Sequence, residues 1–165
     1  MEYDDAKQQF IQAWGTLGSS WGINKAMAQI HALLLLATDP LSAEDIMEGL
    51  QMSRGNVNMN LRALMDWGVV KKEHRVGERK EYFSTGKNVW DLAKQVSKER
   101  RRREMEPILN VLGEVKNVSG TDKKAIAEFK KVTSELFDFT YKVDGMIEKF
   151  SKSDQGWFYK LLMKL

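Results

Sequence analysis

The chain has 165 residues, 42% hydrophobic and 30% charged, with 12 Gly and 2 Pro, which is about one domain's worth of sequence and excludes a disordered or collagen-like chain. Its net charge of +3, from 26 Lys and Arg against 23 Asp and Glu, is modest, so attraction to a polyanion must come from where the charges sit. Having 0 Cys and 2 His excludes a disulfide framework, a thiolate zinc site and a cysteine nucleophile.

The longest apolar stretch, Ala32 to Ala37, is far below the roughly 20 residues of a membrane span. The opening Met1-Glu2-Tyr3-Asp4-Asp5 is acidic where a secretion signal is basic and then apolar. A cytoplasmic protein with no membrane partner is expected. No repeat of fixed period is present, which argues against a solenoid.

From Tyr3 to Trp21, Ala6, Phe10, Ala13, Trp14, Leu17 and Trp21 recur at three and four residue steps, the pattern of an amphipathic helix. Gly15, Gly18 and Gly22 are expected to fray or end it. A second helix runs from Asn24 to Thr38, burying Ile30, Leu33, Leu34 and Ala37, and Asp39-Pro40 stops it. Ser42 with Asp45 three residues later can cap a short third helix that ends at Leu50 and buries Ile46, Met47 and Leu50. Only Gln51 and Met52 precede Ser53, the cap of a further helix to Trp67 with Val57, Leu61, Leu64 and Met65 on one side. Gly68 closes that helix. Two helices joined so tightly form a helix-turn-helix candidate.

Beyond Gly68 the period changes. Val69 to Val76 and Arg79 to Ser84 are rich in β-branched and aromatic residues, with Gly77-Glu78 between them, and predict a two-stranded wing. Between Lys71 and Lys80 this wing carries Lys71, Lys72, Arg75, Arg79 and Lys80 against Glu73 and Glu78. From Asn88 the chain is helical again to about Val118, with a kink or break expected near Met105 because Pro107 lacks an amide donor. Thr121 and Asp122 start a long helix in which Phe129, Val132, Leu136, Phe139, Val143, Met146 and Phe150 alternate at three and four residue spacing. Ile126, Phe137, Tyr141 and Ile147 widen that stripe, and so much apolar surface points to a partner subunit. Trp157-Phe158-Tyr159 with Leu161 and Leu162 reads as a short terminal amphipathic helix.

A winged helix-turn-helix holds duplex DNA by laying its second helix in the major groove while the wing reaches phosphates or the minor groove. With Val57, Leu61 and Leu64 inward, helical geometry sends Gly55, Met59, Arg62 and Asp66 outward, with Asn56 and Asn58 on the flanks. Asn suits adenine edges, Arg suits guanine or phosphate, and Met59 suits a thymine methyl. The groove and backbone candidates are therefore Ser53, Arg54, Asn56, Asn58, Met59, Asn60 and Arg62, and the wing candidates are Arg75, Arg79 and Lys80. A solvated helix face and a charge-protected strand edge are the plainer alternatives for each set taken alone.

Arg100 to Arg103 read as a helix face paired with Glu99, Glu104 and Glu106, with contact to flanking phosphates as the alternative. Ser84-Thr85-Gly86-Lys87 lacks the spacing of a phosphate loop and reads as the turn from wing to helix. His31 and His74 lack ligand spacing, so no metal, no cofactor and no catalytic residue is assigned. Trp14, Trp21, Phe137, Phe139, Tyr141 and Trp157 read as core and interface, with a cage for a cationic ligand as the alternative.

The segments Trp21-Gly22-Ile23-Asn24-Lys25, Ile30-His31-Ala32-Leu33-Leu34, Leu41 to Ile46, Met52 to Arg62 and Trp67-Gly68-Val69-Val70 resemble the GbsR branch of the MarR-type winged-helix transcriptional regulators. The resemblance covers the first two thirds, reaches Arg103-Glu104 and Pro107, and is most specific from Ser53 to Arg62. It implies a homodimer, usually a repressor, whose terminal helices pair and whose winged domains read two half-sites. Some relatives respond to choline-like molecules through an aromatic pocket, so a small-molecule effector is part of the expectation, without its identity.

The expected architecture is mainly α with a small β-hairpin wing: an N-terminal dimerisation helix (1–23), a winged helix-turn-helix (24–87), a kinked linker helix (88–118) and a helical dimerisation region (119–165). The expected function is a dimeric, sequence-specific regulator that binds double-stranded DNA. The alternative is a protein-interaction module whose winged helix no longer binds DNA.

Overall fold

The structure is a computed structural model and describes residues 1–154 together with Gly156 and Lys160. The terminal helix expected around Trp157 to Leu162 lies outside the described residues. The chain forms two compact units, Met1–Leu92 and Ala93–Leu165.

The first unit is organised around a helix that is almost entirely interior. α1 (Tyr3–Ser20) packs along α2 (Lys25–Leu36), whose start is capped by the Asn24 side chain accepting from the Ala26 amide at 2.8 Å. On α2, Ile30, Ala32, Leu33 and Leu34 are buried, and they meet Ile46, Val57, Leu61, Leu64, Val70 and Phe83 from the following elements. α1 ends at Ser20, between Gly18 and the positive-φ Gly22, as the glycines suggest, but Gly15 and Gly18 do not themselves interrupt it. α1 continues through both to Ser20, and a Cβ on Gly18 would stand 2.6 Å from the Cβ of Ala28. Gly18 is there because the two helices cross too closely for a side chain.

Ser42 begins α3 (Ala43–Leu50) with the expected capping box: its hydroxyl accepts from the Asp45 amide at 3.2 Å, and its own amide donates to the Asp45 carboxylate at 2.8 Å. α4 (Arg54–Asp66) follows, and Gly68 beyond it has φ 68. The sheet differs from the expected two-stranded wing. Leu41–Ser42 forms a short strand, β1, and pairs antiparallel with β3 (Glu81–Thr85), which also pairs with β2 (Val70–His74), giving the order β1-β3-β2. Two residues after a proline carry no alternation, so periodicity does not register this strand.

Lys87 supplies a contact that closes this unit. Its ammonium donates to the carbonyls of Leu34, Leu35 and Ala37, each at 2.7 Å, satisfying acceptors at the end of α2 that have no helical partner. Beside it, the Thr85 hydroxyl donates to the Val69 carbonyl at 2.7 Å and lies 3.3 Å from His31 Nε2. Burial, reinforced by the Lys87 charge, pushes the His31 imidazole from 6.5 down to about 4.

The second unit begins within α5 (Val89–Arg100) and continues through α6 (Glu106–Glu114), a 3-10 turn (Val115–Asn117) and α7 (Lys123–Lys152), which Asp122 caps by accepting from the Ala125 amide at 3.0 Å. The expected break near Met105 is a π-helical turn, Arg101–Met105. The Glu106 amide reaches back five residues to the Arg101 carbonyl, and Pro107, which has no amide to donate, follows at the start of α6. The four arginines are held as a structural set. Arg100 pairs with Glu104 at 2.9 Å, Arg101 grips Asp144 with two bonds of 2.6 and 2.9 Å, and Arg102 and Arg103 share Glu99 at 2.6 and 2.5 Å. Hydrogen bonding from Arg102 and then Arg103 outweighs burial and holds Glu99 near 2.

Two outcomes follow. Gly18→Ala should destabilise the chain by about 1–3 kcal/mol in urea titration, and Ala28→Gly in the same chain should recover part of the loss. The His31 shift makes acid unfavourable: below about pH 6.5 the unfolded chain takes up a proton that the folded chain refuses until about pH 4. Between those values His31 contributes a loss of up to about 1.4 kcal/mol per pH unit, so the urea midpoint of His31→Gln should fall less between pH 7 and pH 5 than that of the parent chain.

Candidate nucleic-acid interface

α3 and α4 are joined by a tight turn in which Gln51 adopts φ 51, a left-handed conformation, and the Met52 amide donates back to Met47 at 3.1 Å. Ser53 then starts α4, its hydroxyl accepting from the Asn56 amide at 3.4 Å. Because Val57, Leu61 and Leu64 anchor α4 to the core, Arg54, Gly55, Asn58, Met59 and Arg62 are exposed on the rest of its circumference. Met59 is 58% exposed, so its side chain is available on this face. A Cβ on Gly55 would meet nothing, so no contact inside the chain requires glycine there.

Asn60 departs from the sequence expectation. It is 2% exposed, and its amide nitrogen donates to both the carbonyl oxygen and the side-chain oxygen of Asn56, at 2.9 and 2.7 Å. As a buried polar group it cannot be a direct groove contact. It sits one turn beyond Asn56 and fixes that half-buried side chain, engaging its acceptor and leaving its amide donors as the chemistry offered to a ligand.

The wing sorts its charges by partner. Lys72 bonds Glu81 at 2.8 Å, the Ser84 hydroxyl donates to Glu73, and the Tyr82 hydroxyl donates to Glu78. The wing carboxylates are thus engaged locally, whereas Lys71, Arg79 and Lys80 are exposed and form no ion pair among the described residues. The Arg75 guanidinium stands 4.0 Å over the Tyr82 ring, which steadies it without neutralising it. The turn at the tip is closed by the Glu78 amide donating to the Arg75 carbonyl at 3.1 Å, with Gly77 at φ 84. Tyr82 and Lys71 were not among the sequence candidates. Both lie in the wing that the sequence predicts; what singles them out is the strand register, which depends on the length of a tip that composition does not fix.

Charges from both α4 and the wing act on the start of α3. The Glu44 carboxyl is held below its ordinary range by its own backbone amide, then by Arg54, which bonds it at 3.0 Å, and by the charge of Lys80. This gathers cationic groups of α4 and of the wing around one region of the first unit. Among the described residues, no group of three or more His, Asp and Glu could hold a metal ion, and no helix is long and apolar enough to cross a membrane.

Comparison with known proteins agrees with this geometry. Residues 21–81, from the end of α1 to the first residue of β3, match the sequence profile of the MarR family. A crystal structure described as that of a transcriptional regulator aligns over 87% of this chain and 99% of its own, at 17% identity and a TM-score of 0.59, a likeness of fold. No curated protein matches the sequence. The fold is a winged helix-turn-helix, MarR-like over residues 21–81.

Removing the buried amide should be felt in stability before binding. Asn60→Ala is expected to lower the unfolding free energy by about 1–2 kcal/mol in denaturant titration, against less than about 0.5 kcal/mol for the exposed Arg62→Ala.

Proposed function

We propose that the chain is a dimeric, sequence-specific DNA-binding transcriptional regulator of the GbsR branch, a cytoplasmic repressor whose operator binding a small molecule modulates. The observation that carries DNA binding is the pairing of an exposed polar α4 face with a wing on which Lys71, Arg75, Arg79 and Lys80 are exposed and outside any ion pair among the described residues. The MarR match over residues 21–81 supports the same assignment, and the Ser53 to Arg62 sequence supports the branch.

In this mechanism α4 enters the major groove. Ser53 and Arg54 contact the backbone at its start, Asn56, Asn58, Met59 and Arg62 face base edges, and Asn60 holds Asn56 in place. Arg75, Arg79 and Lys80 engage flanking phosphates or the minor groove. Two copies would set their recognition helices about 34–36 Å apart to meet successive major grooves. An effector acts by favouring one spacing or orientation of the winged domains over another. No cofactor is invoked.

Anisotropy titration against genomic fragments at two salt concentrations tests it. Replacing Arg79 and Lys80 with Ala should weaken binding to every duplex and reduce the salt slope by about 1–2 per winged domain. Asn56→Ala should instead shrink the preference for operator over random duplex by about 1–3 kcal/mol. Absence of salt-sensitive binding to any duplex would overturn the proposal and leave the protein-interaction module.

A further inference from the structure

α7 carries a heptad in which Phe129, Leu136, Val143 and Phe150 fall at a, and Ala125, Val132, Phe139 and Met146 fall at d. This seam is open to solvent over much of its length: Phe129, Val132 and Leu136 are between 41% and 49% exposed, and Phe139 and Met146 reach 68% and 70%. The two flanks of the seam differ. The e positions, Ile126, Thr133, Thr140 and Ile147, are half-buried or buried within the chain's own second unit. The g positions, Glu128, Glu135, Lys142 and Lys149, are exposed and make no ion pair within the chain among the described residues.

The order Glu, Glu, Lys, Lys along one flank discriminates between orientations. In a parallel pair g faces e of the other helix, and the e residues here carry no charge to answer four charged g residues. When helices run antiparallel, g faces g. Then Glu128 meets Lys149 and Glu135 meets Lys142 of the other copy, and by two-fold symmetry each pair occurs twice. One register satisfies every layer at once. Pairing Leu136 with Phe139 of the second copy also aligns Val132 with Val143, Phe129 with Met146 and the small Ala125 with the large Phe150. The same register sets Ile126 opposite Ile147 and Thr133 opposite Thr140.

We propose that α7 pairs with α7 of a second copy of this chain in an antiparallel, two-fold arrangement centred between Phe137 and Asp138, with its register selected by the Glu128–Lys149 and Glu135–Lys142 pairs across the interface. The proposal rests on the dimeric reading above, which already expects terminal helices to pair, and adds their orientation, register and contacts. A continuous apolar seam of about 30 Å, matched in charge only to its own reverse, selects a second copy over an unrelated helix.

Charge exchange tests the register in the full-length chain. Glu128→Lys with Glu135→Lys makes the whole flank basic, and Lys142→Glu with Lys149→Glu makes it acidic. Each double variant should raise the dimer dissociation constant at least tenfold by sedimentation equilibrium at low salt while circular dichroism still reports a helical chain. Mixing the two should restore dimers, and so should all four changes in one chain. Orientation is read by spin labels, because the chain has no cysteine to remove. Labels on Lys124→Cys should lie about 40 Å apart and those on Asp138→Cys close together, whereas a parallel pair brings both close. A dimer indifferent to the charge exchanges, or with short distances at both sites, overturns the antiparallel register. A chain that stays monomeric at every concentration overturns the dimeric reading itself.

Discussion

Three carbonyls at the end of one buried helix, held by a single ammonium, set the geometry of the first unit. α2 is interior over most of its length, and its last acceptors, half-buried to exposed, take their donor from one side chain instead of from a further helical turn. Lys87 provides it from beyond the wing, so the segment that leaves β3 is tied to the helix at the centre of the fold. His31 and Thr85 complete the joint, with the imidazole kept neutral by burial beside a fixed positive charge. The position of the wing is therefore a property of the core, and a basic tip can be presented to a ligand without large contacts of its own.

Much of the fold was legible because its signals are local. The caps at Asn24, Ser42, Ser53 and Asp122, and the left-handed Gly68, depend on residues within one turn of themselves. The features that escaped are those decided by distant neighbours. Gly18 looked like a helix breaker because propensity counts the missing side chain and does not see Ala28. β1 is two residues long and exists because β3 has a free edge beside it. Arg101 was placed correctly in a paired arginine set, but its partner Asp144 is 43 residues away and no spacing rule could supply it.

The candidate site divides along the same line. Exposure of Arg54, Asn58, Met59 and Arg62 follows from where the apolar residues of α4 lie, which the sequence states directly. Asn60 lies at the border of that face, where a small change in helix rotation decides between solvent and core. Its amide turns inward to Asn56, so a polar residue on a recognition helix can serve the helix first. In the wing, the count of charges did not say which cations would stand outside ion pairs; that depends on the cross-strand pairing of Lys72 with Glu81.

The π-helical turn has a consequence for how such sequences are compared. It holds one residue more than an α-helical path would need, and one residue corresponds to about 100° of rotation about the axis. A homologue shorter by a single residue in 101–105 could keep an unbroken helix and still turn α5 and α6 out of phase, separating Arg101 from Asp144. Alignments across this stretch should therefore be scored by phase, and a one-residue gap there counts as a change of partner surface.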